Sequence, residues 1–474
     1  MAGDEDERMR VILFPFPAQG HFAAFLSLAA RLHRARPSAA FTLVSTPRNV
    51  AALRASPAAA AAPFLRFHAL PFVPEEHGLP AGAESTDAVQ GREFVVLFAA
   101  TESPSLRAAF DGFLTGACAD GDAAQQASVV VVVVADPLLA WTTGVARRRG
   151  ARHAFFVSCG AFGSAVYHSL WNHLPHRGAP GGDATLRLPD HPEVTISVGH
   201  ETDALVVNTT EELEPAGLRM LRRTMGDVPV LPIGPLVRLN RPDSDGDGDG
   251  DGDGIIRWLD ARAARSVLYI SFGSQDSLRA EQMRELAAAL ELTGRPFVWA
   301  IRPPLGWSGD GGADGWLPEG FEVRARAGGR GLLVRGWASQ VGILAHPSTG
   351  AFLSHCGWNS VLESVAHGVP VVGWPLQADQ FFNARMLEEE WGACVEVARG
   401  NAEGSPPVGR AALAEAVEAV MGDTGKGAEM RRRVREIQEL TRGAQREDGG
   451  SSVRALEEFF ASMLRGRRTA ARGC

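Results

Sequence analysis

The chain is short of cysteine, of long apolar runs and of charge bias, and each shortage excludes a class of protein. Its five cysteines, Cys118, Cys159, Cys356, Cys394 and Cys474, are odd in number and show no paired Cys-x-x-Cys spacing. That pattern excludes a disulfide framework and a zinc site and points to a reducing compartment. The longest apolar run, Val129 to Ala135, falls far short of the ~20 residues a membrane-spanning helix needs. No integral membrane association is expected. The opening MAGDEDERMR is acidic and lacks the basic start and apolar core of a signal peptide. A cytoplasmic location is therefore expected. Net charge is −8, from 47 basic and 55 acidic residues, and six of the acids (Asp243, Asp245, Asp247, Asp249, Asp251 and Asp253) stand in one run. No global field draws such a chain to nucleic acid or to an anionic membrane. The arginines between Arg465 and Arg472 read as a solvated end. No short repeat marks a solenoid.

What is present is ordinary globular composition, 45% hydrophobic and 22% charged. At 474 residues the chain exceeds one core and implies two domains or more. Strand-like runs alternate with amphipathic helical stretches: VILFPF, FAAFLSLAARLHR and FTLVS, then VVVVVVA and LLAWTTGVARRRG. The alternation resumes after residue 265 with SVLYISFG, EQMRELAAALEL, PFVWAIR and GLLVRG. Continuous Val/Ile/Leu strands separated by helices predict parallel sheets covered on both faces. Between the halves, Arg241 to Gly254 carries no apolar residue and reads as a flexible linker. Its Asp-x-Asp triplets and a loose calcium-loop match from Asp249 are what a tandem Asp-Gly repeat generates by chance.

The richest segment is WASQVGILAHPSTGAFLSHCGWNSVLESVAHGVPVVGWPLQADQ, Trp337 to Gln380. TGAFLS reads as a strand, HCGWN as a glycine-containing turn and SVLESVAHG as a helix stopped by Gly368 and Pro370. A strand that turns through glycine into a helix aims unpaired backbone N–H groups at an anion. His355 adds a side-chain donor, and Asn359 and Ser360 stand where the helix begins. Glu363, a turn later, suits a ribose hydroxyl pair, and Asp379 and Gln380 suit sugar hydroxyls. An ordinary βα pair with capping residues is the alternative for any one of these residues, but not for the set.

The whole segment closely resembles the signature box of plant UDP-dependent family 1 glycosyltransferases, in length and at both ends. The resemblance implies that Trp337 stacks on uracil while the backbone of Ala338 and the side chain of Gln340 read its edge. It also implies that His355, Trp358, Asn359 and Ser360 hold the diphosphate, Glu363 the ribose, and Asp379 with Gln380 the sugar. Ser339 departs from the pattern, which commonly has proline there. The resemblance extends over nearly the whole chain and implies an α/β protein of the GT-B fold, two Rossmann-like domains with parallel sheets facing a central cleft. Residues 1–240 would bind the acceptor and 255–450 the UDP-sugar, with 241–254 as linker. The helix in 451–474 would pack back on the first domain, ahead of a tail. A monomer is expected, with UDP-glucose as co-substrate and neither cofactor nor metal.

The first half should supply the base. His21 lies at a strand–turn–helix junction in FPFPAQGHFAAF, where ligands gather in open parallel sheets. A histidine suits deprotonation of a hydroxyl near neutral pH, and a carboxylate that orients its ring improves it. Asp136, ending the valine strand, stands where such a carboxylate belongs, and before Pro137 it also reads as a plain helix cap. Both match the family's catalytic pair, although the proline usual a few residues after the histidine is missing from HFAAFLSL. The implied reaction is a single inverting displacement in which His21 takes the acceptor's proton and UDP departs, with Ser274 in SFGS adding a phosphate contact. Glutamine at the last place of the box goes with glucose in that family. The acceptor pocket is expected near Phe16, Leu138 and the segment from Ser158 to His173. These are apolar surroundings suited to a small hydrophobic hydroxylated molecule such as a flavonoid, another phenolic, a terpenoid or a hormone. A UDP-sugar-binding sensor or scaffold without transferase activity is the alternative.

Overall fold

The computed structural model describes residues 8–89, 92–119, 129–173, 202–237, 252–275, 277–304, 307, 315–336, 338–401 and 408–465. The chain forms two compact units, one of Met1–Leu236 with Ala444–Cys474, the other of Val237–Gly443.

The first unit is built on strands β1 (Arg8–Phe14), β2 (Ala40–Ser45), β3 (Leu65–Ala69), β4 (Val129–Ala135), β5 (Arg152–Val157), β6 (Ala204–Val207) and β7 (Val230–Pro232). They pair in parallel in the order β3-β2-β1-β4-β5-β6-β7. Alternate residues of one strand serve two cores. Val11, Leu13, Val132 and Val134 pack on one face with Phe22, Phe25 and Leu28 of the helix Gln19–Ala35. Ile12, Phe14, Val131 and Val133 pack on the other with Phe110 and Leu114. Coverage on both faces is why the valine run carries no polar residue.

The helix Ser451–Arg465 contributes Leu456, Phe459, Phe460 and Met463 to the first of these cores. Truncating a side chain as buried as Phe459 would cost about 3–5 kcal/mol. The helix is further tied down where Ser452 Oγ donates to the Gly234 carbonyl at 2.5 Å and Ser451 Oγ to Glu212 at 2.7 Å. Gln445 already donates to the Pro235 carbonyl. These contacts place the end of the second unit at Gly443, seven residues before the boundary expected at 450.

The second unit holds β8 (Val267–Ser271), β9 (Phe297–Ala300), β10 (Gly331–Val334), β11 (Thr349–Ser354), β12 (Val371–Gly373) and β13 (Cys394–Glu396), parallel in the order β10-β9-β8-β11-β12-β13. Most of the expected linker, with all its acids but Asp253, lies outside the described residues. Its last three residues, Gly252–Gly254, instead open the helix Gly252–Asp260, because Ile255 and Leu259 one turn apart bury against Val267 and Tyr269. Among the described residues no helix is long and apolar enough to cross a membrane, and no group of three or more His, Cys, Asp or Glu is placed to hold a metal ion. Cys118, Cys159, Cys356 and Cys394 are free thiols.

Candidate active site

In each sheet the strand order reverses at one place, between β1 and β4 in the first unit and between β8 and β11 in the second. Ligands of open α/β sheets bind outside the carboxyl ends of the strands at such a reversal. His21 and Asp136 follow β1 and β4 at the first place, and Ser274, His355, Trp358, Asn359 and Ser360 follow β8 and β11 at the second.

In the first unit Phe14 pairs with Ala135 across β1 and β4, so the chain leaves both strands side by side. The Asp136 N–H donates to the Phe14 carbonyl at 3.0 Å. His21, in the first turn of its helix, meets Asp136 with Nδ1 2.5 Å from Oδ2. Asp136 is 1% exposed and His21 23%. The other carboxylate oxygen accepts the Leu138 N–H at 3.0 Å and caps the short 3₁₀ turn Pro137–Leu139. Capping and pairing with histidine, which compete as readings of the sequence, are both done by one side chain. A carboxylate only accepts, so Nδ1 carries the proton and the Nε2 of the neutral ring is left as the basic nitrogen. The helix forms without the family's proline, and the Phe16 ring supports His21 edge-on at 5.8 Å. Phe16 itself is 1% exposed. It is a core residue packed against the histidine.

In the second unit Ser271 pairs with Ser354, and the loops Phe272–Ser274 and His355–Gly357 leave β8 and β11 together. The His355 ring lies against both. A Cβ on Gly273 or on Gly357 would stand 2.6 Å from its Nε2, closer than atoms approach. Gly273 also has φ +77, a conformation natural only to glycine. Arg302 holds this loop by donating to the carbonyls of Gly273 and Ser274. Burial pushes the pKa of His355 down to about 4, against a backbone hydrogen bond at Ser271, so the ring is neutral near pH 7.

The helix Trp358–Ala366 starts from Gly357, which has no side chain to cap it. Trp358 is 3% exposed, with its ring centroid 6.4 Å from that of Trp391. Gln340 binds this helix. Its Nε2 donates to Glu363 Oε2 at 2.7 Å and to Ser360 Oγ at 3.1 Å, while its Oε1 accepts from Tyr269 at 3.2 Å. Burial keeps the Tyr269 hydroxyl protonated far above its ordinary range. The Ala338 carbonyl is taken by the Gln340 N–H at 2.8 Å. Ser339 has φ −71, close to the value proline imposes. Trp337 lies outside the described residues.

Asp379 opens the helix Gln380–Arg385, and its Oδ2 accepts from Asn383 Nδ2 at 2.9 Å. Gln380 Oε1 accepts the N–H groups of Leu376 and Gln377 at 2.8 and 3.0 Å. Both lone pairs of that oxygen are thus spent on its own loop. The structure therefore brings together Gln340, Ser360 and Glu363 as one network, and His355 with the start of the same helix. Sequence reasoning missed Gly273, Arg302, Tyr269 and Asn383. Of these only Gly273, in the SFGS turn at a strand end, carried a readable signal.

The sheet orders and the placement of these groups define a doubly wound protein with nucleotide-site chemistry in its second half. The family model for "UDP-glucoronosyl and UDP-glucosyl transferase" matches residues 251–431. UDP-glycosyltransferase 92A1 of Arabidopsis thaliana is 36% identical over 502 residues, covering 98% of this chain and 99% of that one. Among solved structures, Glycyrrhiza uralensis UGT73P12 complexed with glycyrrhetinic acid 3-O-monoglucuronide superposes with a TM-score of 0.80 at 26% identity, over 98% and 97% of the two chains. Phytolacca americana UGT2 complexed with UDP-2fluoro-glucose and pterostilbene gives 0.74 at 27%, over 96% and 99%. The chain belongs to the plant family 1 UDP-glycosyltransferases, enzymes of the GT-B fold that transfer a sugar from a UDP-sugar to small molecules.

Proposed function

We propose that the chain transfers glucose from UDP-glucose to a hydroxyl of a small hydrophobic acceptor, with inversion and without a metal. The observation that carries this reading is the His21–Asp136 pair. A sensor needs only a nucleotide site, whereas a half-buried imidazole held by a buried carboxylate at a sheet reversal is equipped to take a proton. In the proposed reaction His21 Nε2 removes the acceptor's proton as the oxygen attacks the anomeric carbon, and Asp136 stabilises the imidazolium that forms. The bond to UDP breaks on the opposite face. Charge growing on the diphosphate is met by His355, the N–H groups of Trp358, Asn359 and Ser360, and Ser274, a preorganised arrangement that needs no reorganisation during the reaction.

Trp337 and the Ala338 backbone are assigned to uracil with Gln340, Glu363 to the ribose, and Asp379 with Gln380 to the sugar. Gln340 reaches Glu363 and Ser360 at once, which supports its counting as part of the nucleoside site. Pterostilbene in the Phytolacca complex and glycyrrhetinic acid 3-O-monoglucuronide in the Glycyrrhiza complex support a small hydrophobic acceptor, and UDP-2fluoro-glucose supports glucose. The test is a panel of phenolic, flavonoid, terpenoid and hormone acceptors with UDP-glucose, UDP-galactose, UDP-xylose and UDP-glucuronate, with and without EDTA, read by mass spectrometry. Conversion fastest with UDP-glucose and indifferent to EDTA is expected. A tenfold preference for another donor, or loss of activity restored by Mn²⁺, would contradict the assignment.

A further inference from the structure

We infer that Asn383, three residues beyond the signature box, is a positioning residue that couples the sugar end of the donor site to the diphosphate turn. It is 2% exposed. Its one amide nitrogen spends both protons on fixed acceptors: Asp379 Oδ2 at 2.9 Å, and the Cys356 carbonyl, 27 residues away, at 3.0 Å. Its own N–H donates to the Asp379 carbonyl at 3.0 Å.

The second acceptor matters because of what Cys356 does. Cys356 has φ +61, a left-handed conformation that a residue with a side chain adopts only when its surroundings impose it. Two buried side chains impose it here. Ser354 Oγ accepts the Cys356 N–H at 3.0 Å, and Asn383 takes its carbonyl. A trans peptide is planar, with its C=O and N–H opposed. Drawing the Cys356 carbonyl toward Asn383 therefore turns the Gly357 N–H the other way, and Gly357 is the residue from which the helix assigned to the diphosphate starts. Meanwhile Asn383 leaves Oδ1 of Asp379 as the oxygen that does not bind it, and so fixes how the carboxylate is turned. One carboxamide sets both ends of the site. The function of Asn383 rests on the reading of this box as the UDP-sugar site.

The test measures UDP binding by calorimetry and kcat/KM for UDP-glucose in wild type, Asn383→Ala, Asp379→Ala and the double variant, with Tm recorded for each. With the Cys356 carbonyl left unpaired and the turn no longer held, Asn383→Ala should weaken UDP about tenfold. It should lower kcat/KM further still, because the sugar contact is also lost. In the double variant the two losses should be less than multiplicative. Asp379→Ala alone should weaken UDP severalfold, although UDP has no sugar for Asp379 to touch, and this keeps the inference testable if Asn383→Ala folds poorly. Unchanged UDP affinity in both single variants, or independent losses in the double variant, would overturn the coupling. Failure of the wild type to bind UDP would instead overturn the reading of the site.

Discussion

Asp136 accepts from His21 through one oxygen at 2.5 Å and from the Leu138 N–H through the other at 3.0 Å. A single buried carboxylate is thereby fixed by the backbone before it fixes the imidazole. The ring cannot turn without Asp136 turning, and Asp136 cannot turn without uncapping the turn that follows β4.

His21→Ala should lower kcat by about 10²–10⁴-fold, the usual span of general-base catalysis, and leave the Kd for UDP unchanged. Asp136→Asn should lower kcat to a similar degree, since an amide whose oxygen caps the Leu138 N–H turns its NH₂ toward His21 Nδ1 and moves the ring proton to Nε2, the nitrogen that must act as base. Steady-state rates on an identified acceptor, with UDP calorimetry in parallel, check both. Unchanged turnover in His21→Ala would remove the base from the mechanism.

The glycine cradle of His355 gives a second expectation. Gly357 has an ordinary φ of −60, so Gly357→Ala adds no backbone strain and only places a methyl 2.6 Å from His355 Nε2. It should displace the ring and weaken UDP by about tenfold or more, as expected when a buried charge-assisted contact of about 1.5–3 kcal/mol is lost. Gly273→Ala should do the same and also lower Tm, because its φ of +77 is strained for alanine. UDP affinity equal to wild type in Gly357→Ala would mean that His355 does not meet the phosphates.

Two histidines make stability depend on pH. Burial lowers His355 from 6.5 to about 4 and His153, hydrogen-bonded to Thr142 and Thr202, to about 3. Both pKa values are depressed in the folded state, so the unfolded chain binds more protons below about pH 6.5 and stability falls with pH. Full stability is present above about 6.5 and is lost progressively toward about 4 and then about 3. The loss between pH 7 and 5 should be on the order of a few kcal/mol, seen as a lower denaturant midpoint. His153→Gln should flatten the slope. A midpoint independent of pH across this window would contradict the neutral burial of both rings.

The oxygen of Gln380 is committed to Leu376 and Gln377, so only its NH₂ remains for a sugar hydroxyl. Gln380→Glu keeps an oxygen for those two N–H groups and removes the donor. It should lower kcat/KM for UDP-glucose by about tenfold through the lost hydrogen bond, with UDP affinity near wild type. A variant as active as wild type would place Gln380 in the loop's structure alone.

The layering of both halves was legible because continuous apolar strands and amphipathic helices have different periods, and TGAFLS is β11 to the residue. His21 and Asp136 were legible because each follows a strand end. What could not be read was contact between distant segments. Nothing near Gly273 in sequence announces that His355 will lie against it, and Tyr269 in mid-strand looks like any core aromatic until its hydroxyl meets Gln340. The start of the helix at Gly252 shows the opposite error. Local composition suggested a loose linker, and tertiary packing of Ile255 against Val267 and Tyr269 decided otherwise for its last residues.

The most direct measurement is the anomeric configuration of the first glycoside obtained from UDP-glucose, read by proton NMR from the coupling between H1 and H2. UDP-glucose is the α-anomer, and a displacement in which His21 activates the acceptor oxygen inverts that centre. The account predicts a β-glucoside from wild type and little or no glycoside from His21→Ala. An α-glucoside, or free glucose as the main product with acceptor present, would contradict it.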